Sequence, residues 1–217
     1  MFLAACGSKQ TAPAPKHTPV NSPEASTACP EQWKAAKKAR EVALEVGTQA
    51  ARSRAASAVF SHAECEHAVF DGLAFAGPTH ERLLSKIRSG RGVYQTTRNL
   101  YNEVPNYGDA RAAVGARARL GELNGKFADK LRAVRTPKDM TSTAEKAMFL
   151  SQLSALGRGF DRSASVAFAG AIKTARTDFG GKLTDDLRKW VKRACTGLHL
   201  VDENNAERKH CPALLSN

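Results

Sequence analysis

The sequence predicts an all-α protein in which antiparallel helical hairpins stack as a short superhelix. Much of the apolar content, which is 42% of 217 residues, is alanine, the strongest helix former. Isoleucine is nearly absent, and valine is scattered without the alternation that marks a strand. Apolar residues recur instead at helical spacing, in segments of about 20 residues separated by short breaks. Helices of that length joined by short connections pack as antiparallel neighbours.

The first two helices follow a proline-rich segment. The first helix is predicted over residues 31–55, with Pro30 in the first turn, where proline is tolerated. Gly47 is a point at which this helix bends or breaks. The second helix is predicted over residues 57–75, and it ends before the Gly-Pro breaker pair at residues 77–78.

The third and fourth helices are separated by the loop "VPNYGD". Thr79 caps the third helix, which has weak points at Gly90 and Gly92. Asp109 caps the fourth helix, which carries alanine and leucine on one face. We expect this helix to end near Pro137, because proline cannot continue a helix.

The fifth and sixth helices complete the predicted helical region. Thr141 or Ser142 begins the fifth helix, and Gly157 and Gly159 are points that divide it. Thr184 caps the sixth helix, which continues to about residue 201. The residues after it are mostly polar, so they are interpreted as a tail.

The opening stretch "MFLAACGSKQ" contains Leu3-Ala4-Ala5-Cys6, which resembles the lipobox of bacterial lipoproteins. In that family the leader is cut before the cysteine, which then becomes lipidated. The following stretch "TAPAPKHTPVNSPEASTACP" has five prolines and almost no large apolar residue. Such a composition cannot bury a core, and it favours an extended, disordered tether. The layout is typical of a lipid-anchored domain outside the cytoplasm.

These observations divide the sequence into four parts. Residues 1–5 are interpreted as the remnant of a lipoprotein signal peptide, and residues 6–30 as the lipidated cysteine and its proline-rich linker. Residues 31–201 form the helical-repeat domain, and residues 202–217 form the polar C-terminal tail. No internal run of about 18 apolar residues exists, so the membrane would be reached only through the lipid anchor. The expected location is the periplasm or the cell surface, at the outer membrane.

A longer stretch, residues 86–203, resembles the degenerate tetratricopeptide-like lipoproteins of Gram-negative outer membranes. The resemblance is carried by Tyr101 and Val104 before a loop, by "GDARAAVGARARLGELNGKFADKL", by a Thr-Pro-Lys loop and by "DLRKWVKRA". These motifs are structural. The resemblance implies a helical-repeat scaffold of the cell envelope, and it implies no catalytic residues.

The interpretation of the five cysteines depends on the expected location of the protein outside the cytoplasm. If Cys6 is lipidated, an even number remains, which in an exported protein predicts two disulfides. Three pairings are possible. We favour Cys195–Cys211, because the short loop between the two residues closes easily. That choice leaves Cys29–Cys65 as the second bridge.

The second bridge conflicts with a straight helical hairpin. If the turn lies near Ala56, Cys65 is about 25 Å from Cys29, so the first helix would have to break, with Gly47 as the candidate position. Zinc is the competing interpretation of the cysteines, since thiolates and imidazoles are its usual ligands. The two candidate ligand sets are Cys195, His199, His210 and Cys211, and His62, Cys65 and Glu66. The export signal favours disulfides over metal.

The formal net charge of +12 indicates an affinity for polyanions. Five bases lie along the fourth helix as a candidate face for an anionic partner, with a solvated surface as the alternative: Arg117, Arg119, Lys126, Lys130 and Arg132. Nucleic-acid readers usually interleave aromatic residues with such bases. Here Phe127 falls on the apolar side of the helix, so nucleic acid is not the expected partner.

No catalytic or phosphate-binding motif occurs in the sequence, so no enzyme activity, cofactor or small-molecule substrate is expected. The first hypothesis is a non-catalytic, lipid-anchored adaptor that binds a protein partner in the envelope. The second is a basic module that binds an anionic envelope polymer, a glycan or lipopolysaccharide. Salt distinguishes them, because polyanion binding weakens steeply with ionic strength.

Overall fold

The computed structural model describes residues 28–180 and 182–216, and within them every regular element is helical. The α-helices are α1 (Pro30–Val46), α2 (Gln49–Asp71), α3 (His80–Glu103), α4 (Ala110–Arg132), α5 (Thr143–Phe179), α6 (Asp185–Val201) and α7 (Cys211–Leu215). Two 3-10 helices, Val104–Tyr107 and Ala206–His210, connect them. The all-α prediction is confirmed. The predicted lipidation site Cys6 and most of the proline-rich linker lie outside the described residues.

The helices pack in chain order around α4. Each helix from α1 to α6 contacts the next one, and the most extensive contact joins α4 and α5. Helix α4 also contacts both α2 and α6. In the part of the chain that the structure describes, no helix is both long and apolar enough to pass through a bilayer.

The first hairpin turns at Gly47, so the prediction of one helix over residues 31–55 is wrong. Gly47 has a φ of 65°, and its N–H donates to the carbonyl of Ala43, which ends α1 in the left-handed conformation that glycine favours. The Thr48 hydroxyl then accepts from the N–H of Ala51 and caps α2. Residue 56 lacks any such turn chemistry, and α2 continues through it.

The glycines expected to weaken α3 or to divide α5 do not interrupt these helices, and several glycines elsewhere leave room for a neighbouring aromatic ring. Helix α3 is continuous at Gly90, where an added Cβ would lie 2.3 Å from Cε1 of Phe75. Phe168 of α5 lies between two glycines, since an added Cβ would come within 2.5 Å of its ring at Gly121 and within 2.3 Å at Gly197. Helix α5 is also continuous, and Gly157 is buried inside it.

Two core clusters fill the space between the helices. The first is aromatic: the Phe70 and Phe127 rings stack with their centroids 5.6 Å apart, and Tyr94 meets Phe127 edge-on at 4.9 Å. The second, at the C-terminal end, is mainly aliphatic and is built around α5 and α6; its members include Phe168, Ile172, Leu187, Val191 and Leu198. Helix α4 contributes to both clusters, which explains its central position.

The segment after α6, interpreted from sequence as a polar tail, contributes to the second cluster. Cys211 and Leu214 are buried there. The Asp202 carboxylate accepts from the Ser165 hydroxyl at 2.7 Å, which attaches the start of the segment to α5. The described part of the segment is therefore folded onto α5 and α6.

The structure contains the two disulfides that the sequence analysis favours. The Cα atoms are 6.1 Å apart in Cys29–Cys65 and 5.9 Å apart in Cys195–Cys211, both ordinary distances for a bridge. The first bridge forms because the turn at Gly47 lies midway between its two cysteines. The zinc alternative is corrected by this finding, because both of its ligand sets lose their thiolates. Within the described residues, no three metal-binding side chains gather at one point.

Candidate anion-binding site

The five bases predicted as one face of α4 divide into two groups. Three of them face α2 and are engaged there. The Arg119 guanidinium donates to the Glu64 carboxylate at 2.6 Å, and the Lys126 ammonium contacts the Asp71 carboxylate at 2.5 Å. Lys130 donates to the main-chain carbonyl of Asp71 at 3.0 Å. These cations are satisfied within the molecule, so they do not form a face open to a partner.

Arg119 belongs to a chain of buried and half-buried polar groups between α2, α3 and α4. The Tyr101 hydroxyl donates to Glu64 at 2.5 Å, and Nδ1 of His67 lies 3.0 Å from the same hydroxyl, which makes Nδ1 the donor. Burial, and then the Arg119 cation, lowers the pKa of His67 to about 3. His67 is therefore neutral at physiological pH, and the chain of contacts serves to join the three helices.

The other two predicted bases point towards α5. Arg132 pairs with the carboxylates of Asp129 and Asp161. Arg117 donates to the Thr174 hydroxyl and has no carboxylate partner in the described part of the chain. A helix turns by about 100° per residue, so bases two residues apart point to different sides. The five bases therefore do not form the single candidate face on α4. Arg117 and Lys130 have no ion pair within the described residues, but Lys130 donates to main-chain carbonyls beside α2, whereas Arg117 lies on the other side of the helix.

Arg117 lies in a groove with three further cations that the sequence analysis did not single out. The groove has a volume of about 720 Å³, with α3 and α5 as walls and α4 as floor. Arg98 of α3 and Arg162 and Lys173 of α5 line it together with Arg117. None of the four forms an ion pair within the described residues, and no carboxylate lines the groove. We call this the α3–α5 groove.

The floor of the groove carries a buried hydrogen-bond donor. Asn124 is only 2% exposed, and its Oδ1 accepts from the Tyr94 hydroxyl at 2.7 Å. This contact fixes the amide, and its nitrogen has no acceptor within the described residues. Asn124 is among the residues that line the groove. The nitrogen is therefore a donor available to a ligand at the floor.

Arg117 is held in place by α5. Its guanidinium donates to Thr174, which itself donates to the carbonyl of Gly170. The arginine stem passes alongside Gly170, where an added Cβ would lie 3.4 Å from Cδ of Arg117. Because its partner is a neutral hydroxyl, no carboxylate compensates the positive charge of Arg117 in the groove.

The cations are spaced along the groove in successive helical turns. Arg162 and Lys173 are eleven positions apart on α5, which corresponds to about 16 Å along the helix axis. Helices α4 and α5 run antiparallel, so Asn124 lies near Arg162 and Arg117 near Lys173. Tyr94 of α3 contacts both Asn124 and the ring of Phe160, so α3 crosses the end of the groove that contains Asn124. The cations are therefore distributed along an elongated groove and do not surround a single point.

A second groove differs in its charge. It has a volume of about 820 Å³ between α4, α5 and α6, and it is lined by both bases and carboxylates. Arg193 contacts Glu122 there at 2.6 Å, and Arg132 contacts Asp161. Because its charges neutralise each other, this groove offers less to a charged ligand than the α3–α5 groove.

A sequence signal for the unpaired bases exists. None of Arg98, Arg117, Arg162 and Lys173 has an acidic residue three or four positions away on its helix. Arg119, by contrast, has Glu122 three positions later, and the two pair at 2.6 Å. Which unpaired bases share a groove depends on the packing of α3 against α5, and that is not visible in the local pattern.

Comparison with models of protein families, with curated proteins and with solved structures finds no match for this chain. The site is therefore interpreted from its own geometry and chemistry.

Proposed function

We propose that this protein is a non-catalytic binding module of the bacterial cell envelope whose α3–α5 groove binds an anionic polymer. The observation that carries the proposal is the set of unpaired cations: Arg98, Arg117, Arg162 and Lys173. A cleft lined by one sign of charge concentrates ligands of the opposite sign. An elongated groove is better suited to a polymer than to a compact anion.

The proposed location and architecture have independent support. Two disulfides favour an oxidising compartment outside the cytoplasm, and the lipobox-like stretch before Cys6 favours lipidation there. We further propose that α1–α2, α3–α4 and α5–α6 are three tetratricopeptide-like hairpins behind a disordered proline-rich tether. The contacts of α2 with α4 and of α4 with α6 support this stacking.

The anchor is tested by mass spectrometry of the N-terminal peptide of the protein isolated from bacterial membranes. A peptide that begins at Cys6 and carries the mass of two or three acyl chains is expected. A mature protein with an unmodified Cys6 would contradict the lipoprotein proposal.

The groove does not suit single-stranded nucleic acid. Proteins that bind such strands stack the bases on aromatic side chains between basic residues. No aromatic residue is among those that line the α3–α5 groove. An acidic polymer without bases to stack is therefore the better match.

The function is tested by charge reversal in the groove with a matched control. The variant Arg98→Glu/Arg162→Glu changes two exposed groove bases, and Lys38→Glu/Arg54→Glu changes two exposed bases on α1 and α2. Both change the net charge by the same amount. Binding to fluorescent polygalacturonate and to polyphosphate is measured by anisotropy at about 50 and about 300 mM NaCl, and circular dichroism checks the fold.

We expect the wild-type protein to bind at least one polymer, and to bind it less tightly at high salt. The groove variant should lose at least about tenfold in affinity, which corresponds to about 1.4 kcal/mol. The control should lose less than about threefold. Equal losses in both variants would mean that only net charge matters, and that result would overturn the proposal, as would the absence of binding to both polymers.

The second candidate function is an adaptor that binds a protein partner. Three apolar side chains in the first half of α5 support it, because they are exposed by 60% (Met148), 44% (Leu150) and 55% (Leu156). Crosslinking in intact envelopes tests this candidate, with the wild type compared with Met148→Ser/Leu156→Ser. A crosslinked partner that persists at high salt and is lost in this variant would favour the adaptor.

A further inference from the structure

We infer that the polymer in the α3–α5 groove is an acidic polysaccharide, held lengthwise, rather than a polyphosphate. The inference rests on the proposed function of the groove and specifies its ligand. It follows from what lies between the cations: hydrogen-bond acceptors and apolar surface, both of which a sugar chain can use and a fully ionised polyphosphate cannot.

Neutral polar groups alternate with the bases along the groove. Asn102 and Ser163 line it, and so does the buried Asn124. The Ser163 hydroxyl donates to the carbonyl of Gly159 at 3.1 Å, so its oxygen faces a ligand as an acceptor. The exposed Asn102 amide offers both a donor and an acceptor. An acceptor in a cationic groove indicates a ligand with donors of its own, and the hydroxyl groups of a sugar are such donors.

Apolar surface lies in the middle of the groove. Leu120 of α4 and Ala167 of α5 contribute to it, and Val166 is 73% exposed at its edge. The C–H face of a pyranose ring can pack on such a surface, and specific ligand sites combine apolar walls with a few placed polar groups. A polyphosphate chain has no apolar face to bury there.

The length of the groove indicates several sugar units. The bases extend over about 16 Å from Arg162 to Lys173 on α5, and Arg98 faces them from α3. Asn124 and Arg117 occupy the floor at the two ends. We therefore expect affinity for acidic oligosaccharides to rise with each added unit until the groove is filled and then to level off.

The test compares a neutral groove variant with a matched neutral control. Asn102→Ala/Ser163→Ala removes hydrogen-bonding groups from the groove without a change of charge. Asn99→Ala/Ser154→Ala removes the same residue types from exposed positions on α3 and α5 outside it. Each protein is titrated with galacturonate oligomers of increasing length and with polyphosphate of matched charge number.

We expect the neutral groove variant to bind the longer galacturonate oligomers about five- to tenfold more weakly, which is the effect of one or two lost hydrogen bonds. Its affinity for polyphosphate should fall less than its affinity for galacturonate, because polyphosphate can use only the donors of these two side chains. The control should match the wild type with both ligands. The charge-reversal variant Arg98→Glu/Arg162→Glu should bind both more weakly.

Two failures are distinguishable. If neither polymer binds to the wild type, the proposed function fails and this inference fails with it. If both bind, if the charge reversal weakens both, and if the neutral variant leaves galacturonate binding unchanged, the groove binds anions but the polysaccharide inference is wrong. A single galacturonate unit that binds as tightly as the longer oligomers would also overturn the lengthwise arrangement.

Discussion

The two sides of α4 carry the same type of charge and use it differently. On the side that faces α2, Arg119 and Lys126 each meet a carboxylate within 2.6 Å. On the side that faces α3 and α5, Arg117 meets only the hydroxyl of Thr174. The first side joins helices, and the second leaves cations in a groove. The difference shows that a net charge of +12 indicates a binding surface only where no carboxylate lies within reach.

The largest effect on the α2 side is expected for Arg119→Ala. The Arg119 side chain is 12% exposed, and its loss leaves Glu64 without its ion-pair partner, whereas Glu122 keeps Arg193. Breaking a fully buried ion pair costs at least about 3 kcal/mol. Because the Glu64 side chain is 34% exposed, the free energy of unfolding should fall by about 2 to 3 kcal/mol in a urea titration. Arg111→Ala, an exposed base on the same helix, is the control and should change stability by less than about 0.5 kcal/mol. Equal effects of the two variants would contradict the assignment.

A fall in pH should lower the free energy of unfolding through His67 of α2. His67 is neutral in the folded protein, where its pKa is lowered to about 3. The unfolded chain takes up this proton below its ordinary pKa of about 6.5, so the contribution is complete above that pH and is lost as the pH falls towards 3. Between pH 7.5 and 5 the loss is about 2 kcal/mol.

His67→Gln removes this titration while a side-chain amide can still donate to Tyr101. Its unfolding free energy, measured in urea at both pH values, should therefore fall less than that of the wild type. Parallel pH dependences of the two proteins would show that His67 is not the group responsible.

A substitution on the groove side of α4 should change the affinity for the polymer rather than the free energy of unfolding. Arg117→Ala removes one groove cation and a hydrogen bond to Thr174. We expect about a fivefold loss of affinity for polygalacturonate and a change of less than about 1 kcal/mol in the free energy of unfolding. Fluorescence anisotropy and urea unfolding on the same protein measure both. A large loss of stability with unchanged affinity would show that Arg117 joins helices, as Arg119 does, and does not bind the polymer.

The smallest effect is expected for Lys126→Ala. Its ion pair with Asp71 is 43% exposed at the lysine and 36% at the aspartate, and exposed pairs contribute about 0.5 kcal/mol or less. Affinity for the polymer should be unchanged, since Lys126 does not line the α3–α5 groove. The same anisotropy titration checks this, and a fall in affinity as large as that of Arg117→Ala would show that net charge controls binding.

The sequence predicts the helical class well because alanine content and breaker positions are local signals. The position of the first turn is not fixed by such a signal, since Gly47 and a turn near Ala56 are both compatible with the sequence. The structure decides it through the left-handed conformation of Gly47 and the cap at Thr48. The prediction of a weak point at Gly90 is wrong, because the helix continues there and Phe75, a residue from the preceding loop, fills the space beside it.

The candidate site was harder to predict than the fold. Arg119 is paired by Glu64, which is 55 positions away in the chain. Arg117 is held by Thr174, 57 positions away. Such contacts leave no trace in the local sequence. A base without a partner therefore cannot be distinguished, from sequence alone, from one that pairs with a residue on another helix. Only the absence of acids three or four positions away could have marked the groove bases.

The Cys29–Cys65 bridge also determines how the domain would respond to a pulling force applied to its N-terminal segment. Tension that arrives at Cys29 passes through the sulfur atoms directly to Cys65 in the middle of α2. The chain between them, which contains all of α1 and the first hairpin turn, carries none of it. A domain attached through this segment could thus be pulled without unwinding its first helix, and reduction of that one bridge would remove the protection.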